Sequence, residues 1–126
     1  KSYGNLQLAE TLFAHGKIQY AEKIVEILLE KERTQDALYL KARILIEGGQ
    51  LEEGEKYLNE ILKRNIRHAS ALFQKARITC VKGNEMGTRN FLTMAIKLSP
   101  EIKEMVKEDP ILQKYAEKEW FKKLIL

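Results

Sequence analysis

The sequence predicts an all-α protein built from pairs of antiparallel helices. Apolar residues recur three and four positions apart, as they do on one face of a helix, and no window alternates with the period of two that marks a strand. Gly16, Gly49 and Gly83 interrupt this pattern at offsets of 33 and then 34 residues. A fixed period of this length indicates a repeated helical unit.

When the three units are aligned on these glycines, the flanking residues also correspond. Small residues align with small ones, and large residues mostly align with large ones. Each unit therefore repeats the positions at which two helices would pack. The aligned columns are Ala9, Ala42 and Ala76; Leu12, Leu45 and Thr79; Ile18, Leu51 and Glu85; Ala21, Gly54 and Thr88; and Val25, Leu58 and Leu92.

In chain order, each glycine ends the first helix of a pair, because glycine tolerates the positive φ that lets the chain reverse. This predicts helices over 3–14, 17–31, 36–47, 51–64, 70–81 and 85–98. Ser99-Pro100 and Asp109-Pro110 are helix starts, with a capping side chain followed by Pro in the first turn. They predict a short helix over 100–107 and a final helix over 110–124, which would cover the last pair.

Composition bounds the class of protein. The 126 residues are 44% hydrophobic and 32% charged, with 7 Gly and 2 Pro, which excludes a disordered or collagen-like chain. One domain over 1–126 is predicted, and no apolar run approaches the ~18 residues of a membrane span. A single cysteine, Cys80, excludes an internal disulfide. Because the chain starts at Lys1 rather than Met, we expect an excised domain or processed product.

The net charge of +4 is mild and unevenly distributed. Between Arg67 and Ile96 five basic residues meet only Glu85. A basic patch is predicted there, but no recognition helix or aromatic-rich strand accompanies it, so nucleic-acid binding is disfavoured.

The 34-residue period, the helix-turn-helix unit and the small-residue columns resemble the tetratricopeptide repeat (TPR) family over residues 3–100. Asn5, Gly54 and Thr88 depart from the family pattern. The resemblance implies a right-handed superhelical solenoid of three repeats, roughly 3–34, 35–68 and 69–100, with a helical cap over 101–126. It also implies a groove lined by the first helix of each pair, and a role in binding other proteins.

No set of reactive residues converges in the sequence. His15 and His68 fall next to turns without a second ligand at metal spacing, and Cys80 lies beside apolar Val81 as a buried or half-buried thiol would. We therefore predict a non-catalytic protein without metal or cofactor.

Three rows of residues are predicted to line the groove and bind a partner. Large apolar side chains beside Arg are typical of peptide-binding surfaces. The alternative is that the aromatic residues fill gaps between helices and that the arginines cover them or pair with neighbouring carboxylates. The rows are Leu6, Tyr39 and Phe73; Glu10, Arg43 and Arg77; and Phe13, Ile46 and Cys80.

One subtype of the family is excluded by these positions. Carboxylate-clamp TPR domains hold the acidic C-terminal tail of heat-shock chaperones with Lys, Asn and Arg, because a carboxylate needs cations and amide donors. The corresponding places here are Leu6, Glu10, Leu40, Ser70 and Gln74.

The sequence thus predicts an interaction scaffold for a protein or peptide partner that offers apolar and acidic residues. The alternative is a self-assembly module that stacks copies through its end faces or its apolar tail Leu124-Ile125-Leu126, as a homo-oligomer.

Overall fold

A computed structural model describes residues 2–126, and side chains from Asn5 onward. The described residues form α-helices and one short 3-10 helix, without a strand. The α-helices are α1 (Ser2–Ala14), α2 (Ile18–Lys31), α3 (Gln35–Glu47), α4 (Leu51–Arg64), α5 (Ala69–Val81), α6 (Glu85–Leu98), α7 (Ile102–Glu108) and α8 (Glu119–Leu124), and the 3-10 helix is Leu112–Tyr115.

The first six helices pack in consecutive pairs. Hairpin 1 is α1 with α2, hairpin 2 is α3 with α4, and hairpin 3 is α5 with α6. The predicted all-α fold of paired helices is therefore confirmed, and the ends of these six helices agree with the prediction to within one residue.

Each hairpin turns in the same way. Gly16, Gly49 and Gly83 have φ angles of 79°, 83° and 78°, and they are the residues with positive φ in the described backbone. The amide after each glycine donates to the carbonyl five residues back, Lys17 to Leu12 at 2.8 Å and Asn84 to Thr79 at 2.9 Å. This is the Schellman helix end that a glycine at this position predicts.

The chain divides into two compact units. Unit 1 ends at Arg64 and contains hairpins 1 and 2, and unit 2 begins at Asn65 and contains hairpin 3 and the C-terminal segment. The aligned small-residue columns lie in the cores of these units. Fully buried residues include Ala9, Ala21, Val25, Ala42 and Leu58 in unit 1, and Ala76, Thr88 and Leu92 in unit 2.

Gly54 shows why one of these columns needs a small residue. A Cβ atom at this position would lie 2.8 Å from Cγ1 of Ile46 and 3.2 Å from the carbonyl oxygen of Ala42. The absence of a side chain therefore lets α4 approach α3 closely.

The final helix predicted over 110–124 is wrong. The chain instead forms the 3-10 helix, bends at Lys118 (φ −72°, ψ 139°) and continues as α8. In one continuous helix Leu112 and Phe121 would lie about 180° apart around the axis. The break allows both side chains to be buried, together with Tyr115.

Local hydrogen bonds fix the same segment. The Asp109 carboxylate accepts from the amide of Leu112 at 3.1 Å, although no helix begins at Pro110. The Gln113 side-chain amide donates to the carbonyl oxygens of Val106, Lys107 and Asp109. Within the part of the chain that the structure describes, no helix is long and apolar enough to span a membrane.

Candidate functional site

The eight residues predicted to bind a partner divide into two groups by burial. Glu10 is exposed, and Phe13, Tyr39 and Arg43 are partly exposed. The other four are buried in the folded chain: Leu6, Ile46, Phe73 and Arg77. The accessible residues all lie in unit 1, on α1 and α3.

Arg43 stacks on two aromatic rings in unit 1. Its guanidinium carbon lies 4.8 Å from the centre of the Phe13 ring on α1 and 5.8 Å from the centre of the Tyr39 ring, one turn earlier on α3. Both distances lie within the range of a cation–π interaction. The structure thus brings together three residues of the predicted groove, and we call them the Arg43 cluster.

The Arg43 guanidinium is partly exposed. Among the described residues no carboxylate forms an ion pair with this guanidinium. A guanidinium whose face is covered by aromatic rings keeps its N–H groups at its edge, where they can donate two parallel hydrogen bonds to a carboxylate. The Arg43 cluster therefore places N–H groups that can bind a carboxylate beside apolar surface.

A cleft in unit 1 is lined in part by Leu6, another of the residues predicted to bind a partner. Leu6 lines it from α1, together with Asp36 and Ala37 at the start of α3 and Leu28, Lys31, Glu32 and Thr34 at and after the end of α2. The cleft has an apolar floor and a charged rim, which is typical of a surface that accommodates a side chain.

Ile46 has a different environment from its neighbours in the predicted row. It lies against Gly54 of α4, where its Cγ1 atom occupies the space that a Cβ on Gly54 would need. This contact makes Ile46 part of the packing of hairpin 2.

Arg77 is held inside unit 2. Its Nε lies 2.8 Å from Oδ1 of Asp109, and each of the two side chains is 9% exposed. Its Nη1 donates to the Gln74 side-chain oxygen at 2.9 Å. For Arg77 the structure therefore matches the alternative in which the arginine pairs with a neighbouring carboxylate.

The basic residues between Arg67 and Ile96 have diverse surroundings. Arg77 is buried with Asp109, and the Lys75 ammonium lies 5.6 Å from the centre of the Phe91 ring. Arg67 and Arg89 are exposed. The excess positive charge of this segment is therefore only partly at the surface, because Arg77 is neutralised by Asp109 inside unit 2.

The histidines and the cysteine have local structural roles. The His68 Nδ1 accepts from the amide of Ala71 at 3.1 Å and caps α5, a role that sequence reasoning missed. The His15 ring donates from Nδ1 to the Thr11 carbonyl. Cys80 is buried, as predicted, and its Sγ donates to the Ile111 carbonyl at 3.3 Å. Burial raises the pKa of this thiol, which keeps it protonated at neutral pH.

Two ion-pair groups in unit 1 were also missed by sequence reasoning. The buried Lys41 ammonium on α3 binds the carboxylates of Glu22 and Glu26 on α2. Burial alone would lower the pKa of Lys41, but the two carboxylates outweigh it and raise that pKa. The i, i+4 spacing of the two glutamates was visible in the sequence, although their partner was not.

The second group joins the α2–α3 connection to α4. Both Nε and Nη2 of Arg33 donate to the Glu60 carboxylate at 2.8 Å, and Arg64 Nη2 donates to it at 3.0 Å. Hydrogen bonding to Arg33 lowers the pKa of Glu60, against an opposing effect of burial.

Comparison of the chain with protein-family models and with curated proteins found no match.

Proposed function

We propose that this chain is a non-catalytic protein-interaction module of the TPR type, whose repeats wind into a right-handed superhelix. A peptide or helix of the partner binds the α1–α3 face of unit 1. Its acidic group pairs with Arg43, and its apolar side chains lie against Phe13 and Tyr39.

The repeat assignment is supported by the three hairpins. They share the positive φ at glycine and the hydrogen bond from the following amide, and their aligned small residues are buried. A set of turns repeated at 33 and 34 residues is what stacked helix pairs of the TPR type require.

The binding role depends on one observation, the Arg43 cluster. It combines two partly exposed aromatic rings with a cation that no described carboxylate pairs. Aromatic and arginine side chains are the residue types that contribute most to protein interfaces, because they bury large areas and donate directional hydrogen bonds.

Selection from a displayed library of random peptides tests this proposal. The immobilised wild-type chain is expected to enrich peptides that combine Asp or Glu with large apolar residues. The Arg43→Glu variant should lose the acidic preference and bind the enriched peptides at least about tenfold more weakly, since a like charge then replaces an ion pair. Arg43 is partly exposed, so this variant should retain the wild-type circular dichroism and unfolding curve.

Arg89→Glu is the matched control, because Arg89 is an exposed arginine on α6 of unit 2. It changes the net charge by the same amount and should leave the selected peptides unchanged. Equal enrichment on the wild-type chain and on Arg43→Glu would refute the proposed site.

A further inference from the structure

A second surface of unit 1 lies on the side of α1 away from the Arg43 cluster. Leu8 is five residues before Phe13, the cluster residue on α1, and so points about 140° away from it around the helix. It lines an apolar groove, which we call the Leu8 groove, whose members are Leu8, Leu12, Lys17, Tyr20, Lys23 and Ile24. Leu8 is 50% exposed and Tyr20 64% exposed.

The repeat register shows what the same positions carry in hairpin 2. The residue 33 positions after Leu8 is Lys41, and the residue 33 positions after Tyr20 is Glu53. Lys41 is buried, whereas Leu8 is half exposed. Hairpin 1 thus presents apolar side chains to solvent at positions where hairpin 2 has charged ones.

The position of Lys41 is covered by a helix in the folded chain. α2 packs against α3, and its Glu22 and Glu26, one turn apart, both bind the Lys41 ammonium. In hairpin 2, the surface at this repeat position is therefore covered by an amphipathic helix, α2, which presents acidic residues beside its apolar face. We take this helix as an example of what could cover the equivalent surface of hairpin 1.

The charges around the Leu8 groove match such an occupant. Lys17 and Lys23 line the groove, and no acidic residue does. In the described part of the chain neither lysine forms an ion pair. Two lysines beside an apolar surface attract carboxylates and repel other cations.

We propose that the Leu8 groove binds an amphipathic helix of a partner protein, with apolar residues against Leu8, Tyr20 and Ile24 and acidic residues one turn apart against Lys17 and Lys23. This is a second binding surface, distinct from the Arg43 cluster and independent of it. It would allow unit 1 to hold two ligands at once.

A labelled helical peptide tests this proposal. The probe copies residues 18–31, which provide the apolar face of α2 with Glu22 and Glu26, and a lactam bridge on its opposite face keeps it helical. Its fluorescence anisotropy is measured with the wild-type chain and with the Leu8→Lys/Tyr20→Lys variant. We expect saturable binding to the wild type and at least about tenfold weaker binding to the variant, since two apolar anchors are replaced by charge.

Three controls make the result specific. A twin peptide with Glu22→Lys and Glu26→Lys should bind at least about tenfold more weakly, because it brings cations to Lys17 and Lys23. The Met86→Lys variant changes an exposed apolar residue in unit 2 and should bind like the wild type. The comparison is repeated in the Arg43→Glu background, because the acidic and apolar probe also fits the ligand proposed for the Arg43 cluster. The loss caused by Leu8→Lys/Tyr20→Lys should be the same there, which separates this groove from the site of the proposed function.

The altered residues are exposed, so the circular dichroism of the double variant should match the wild type. The proposal is overturned if the peptide shows no saturable binding to the wild type. It is overturned equally if the double variant binds the peptide with unchanged affinity, or if the wild type binds the twin peptide as tightly as the original. It is also overturned if light scattering shows that the wild type alone forms dimers that the double variant does not, because a second copy would then occupy the groove.

Discussion

Two arginines at the same repeat position have different surroundings in this protein. Arg43 and Arg77 are 34 residues apart, yet Arg43 stacks on two rings near the surface while Arg77 is buried with Asp109. Asp109 lies outside the repeated part of the sequence, 32 residues after Arg77. The repeat pattern predicted equal roles for the two arginines because it contains no information on this contact.

The pairing of Arg77 leads to a prediction about stability. Asp109→Asn is expected to lower the free energy of unfolding by about 3 kcal/mol, since it leaves a buried guanidinium without its counter-ion. Asparagine keeps an oxygen that can cap Leu112, so the loss reports mainly on the charge. Urea unfolding measures the change.

The same measurement on two further variants provides the control. Arg77→Leu combined with Asp109→Asn should be more stable than Asp109→Asn alone, because no unpaired charge remains buried. Glu117→Gln, at an exposed side chain, should stay within about 0.5 kcal/mol of the wild type. An unaltered stability in Asp109→Asn would contradict the buried pair.

Glu60 gives a prediction about pH. Its pKa is lowered in the folded chain from an ordinary value of 4.5, so its contribution to stability is complete above that value and is lost as pH falls through the lower folded pKa. Glu60→Gln should therefore be less stable than the wild type at neutral pH, by up to about 1 kcal/mol because the pair is partly exposed. Thermal unfolding from about pH 7 to pH 3 should show the two proteins converging in acid; a constant difference would exclude this linkage.

At the scale of elements, the turn between α3 and α4 contains two adjacent glycines, and only one of them needs a positive φ. Gly49 has φ of 83° and open space within 4 Å of the point that a Cβ would occupy, whereas Gly48 has φ of −83°. Gly49→Ala should therefore lower the free energy of unfolding by about 1–2 kcal/mol through backbone strain alone. Gly48→Ala should change it by less than about 0.5 kcal/mol, because its φ suits any residue. Chemical denaturation of both variants measures the two free energies of unfolding. Equal losses would contradict the assignment of the positive φ at Gly49 as the feature that ends the helix.

The sequence predicted most of the helices because their signals are local. The spacing of apolar residues and the glycine near a helix end each lie within about ten residues of sequence. These local signals placed α1 to α6 correctly. The helix predicted over 110–124 failed because its shape depends on burying both Leu112 and Phe121 in unit 2. The surroundings of the residues in the candidate site could be predicted only in part, for the same reason. Tyr39 and Arg43 share one helix turn, whereas the burial of Ile46, Phe73 and Arg77 depends on distant packing.

At the scale of the whole molecule, the two proposed binding surfaces both involve hairpin 1. Hairpin 1 buries Ala9, Ala21 and Val25, and its α1 carries other residues on two further faces. In hairpin 1, one of these faces contributes Phe13 to the Arg43 cluster and the other forms the Leu8 groove. The proposed partner for each face is acidic and apolar, so both interactions should weaken as salt concentration rises.

The most direct test of the central proposal is a map of the bound peptide on the protein by NMR. A peptide selected on the wild-type chain is titrated into isotope-labelled protein, and amide and side-chain shifts are followed residue by residue. We expect the largest saturable shifts at Glu10, Phe13, Tyr39 and Arg43, including the Arg43 Nε–H, and their loss in Arg43→Glu. Saturable shifts confined to other surfaces, with the Arg43 cluster unchanged, would contradict the proposed binding site.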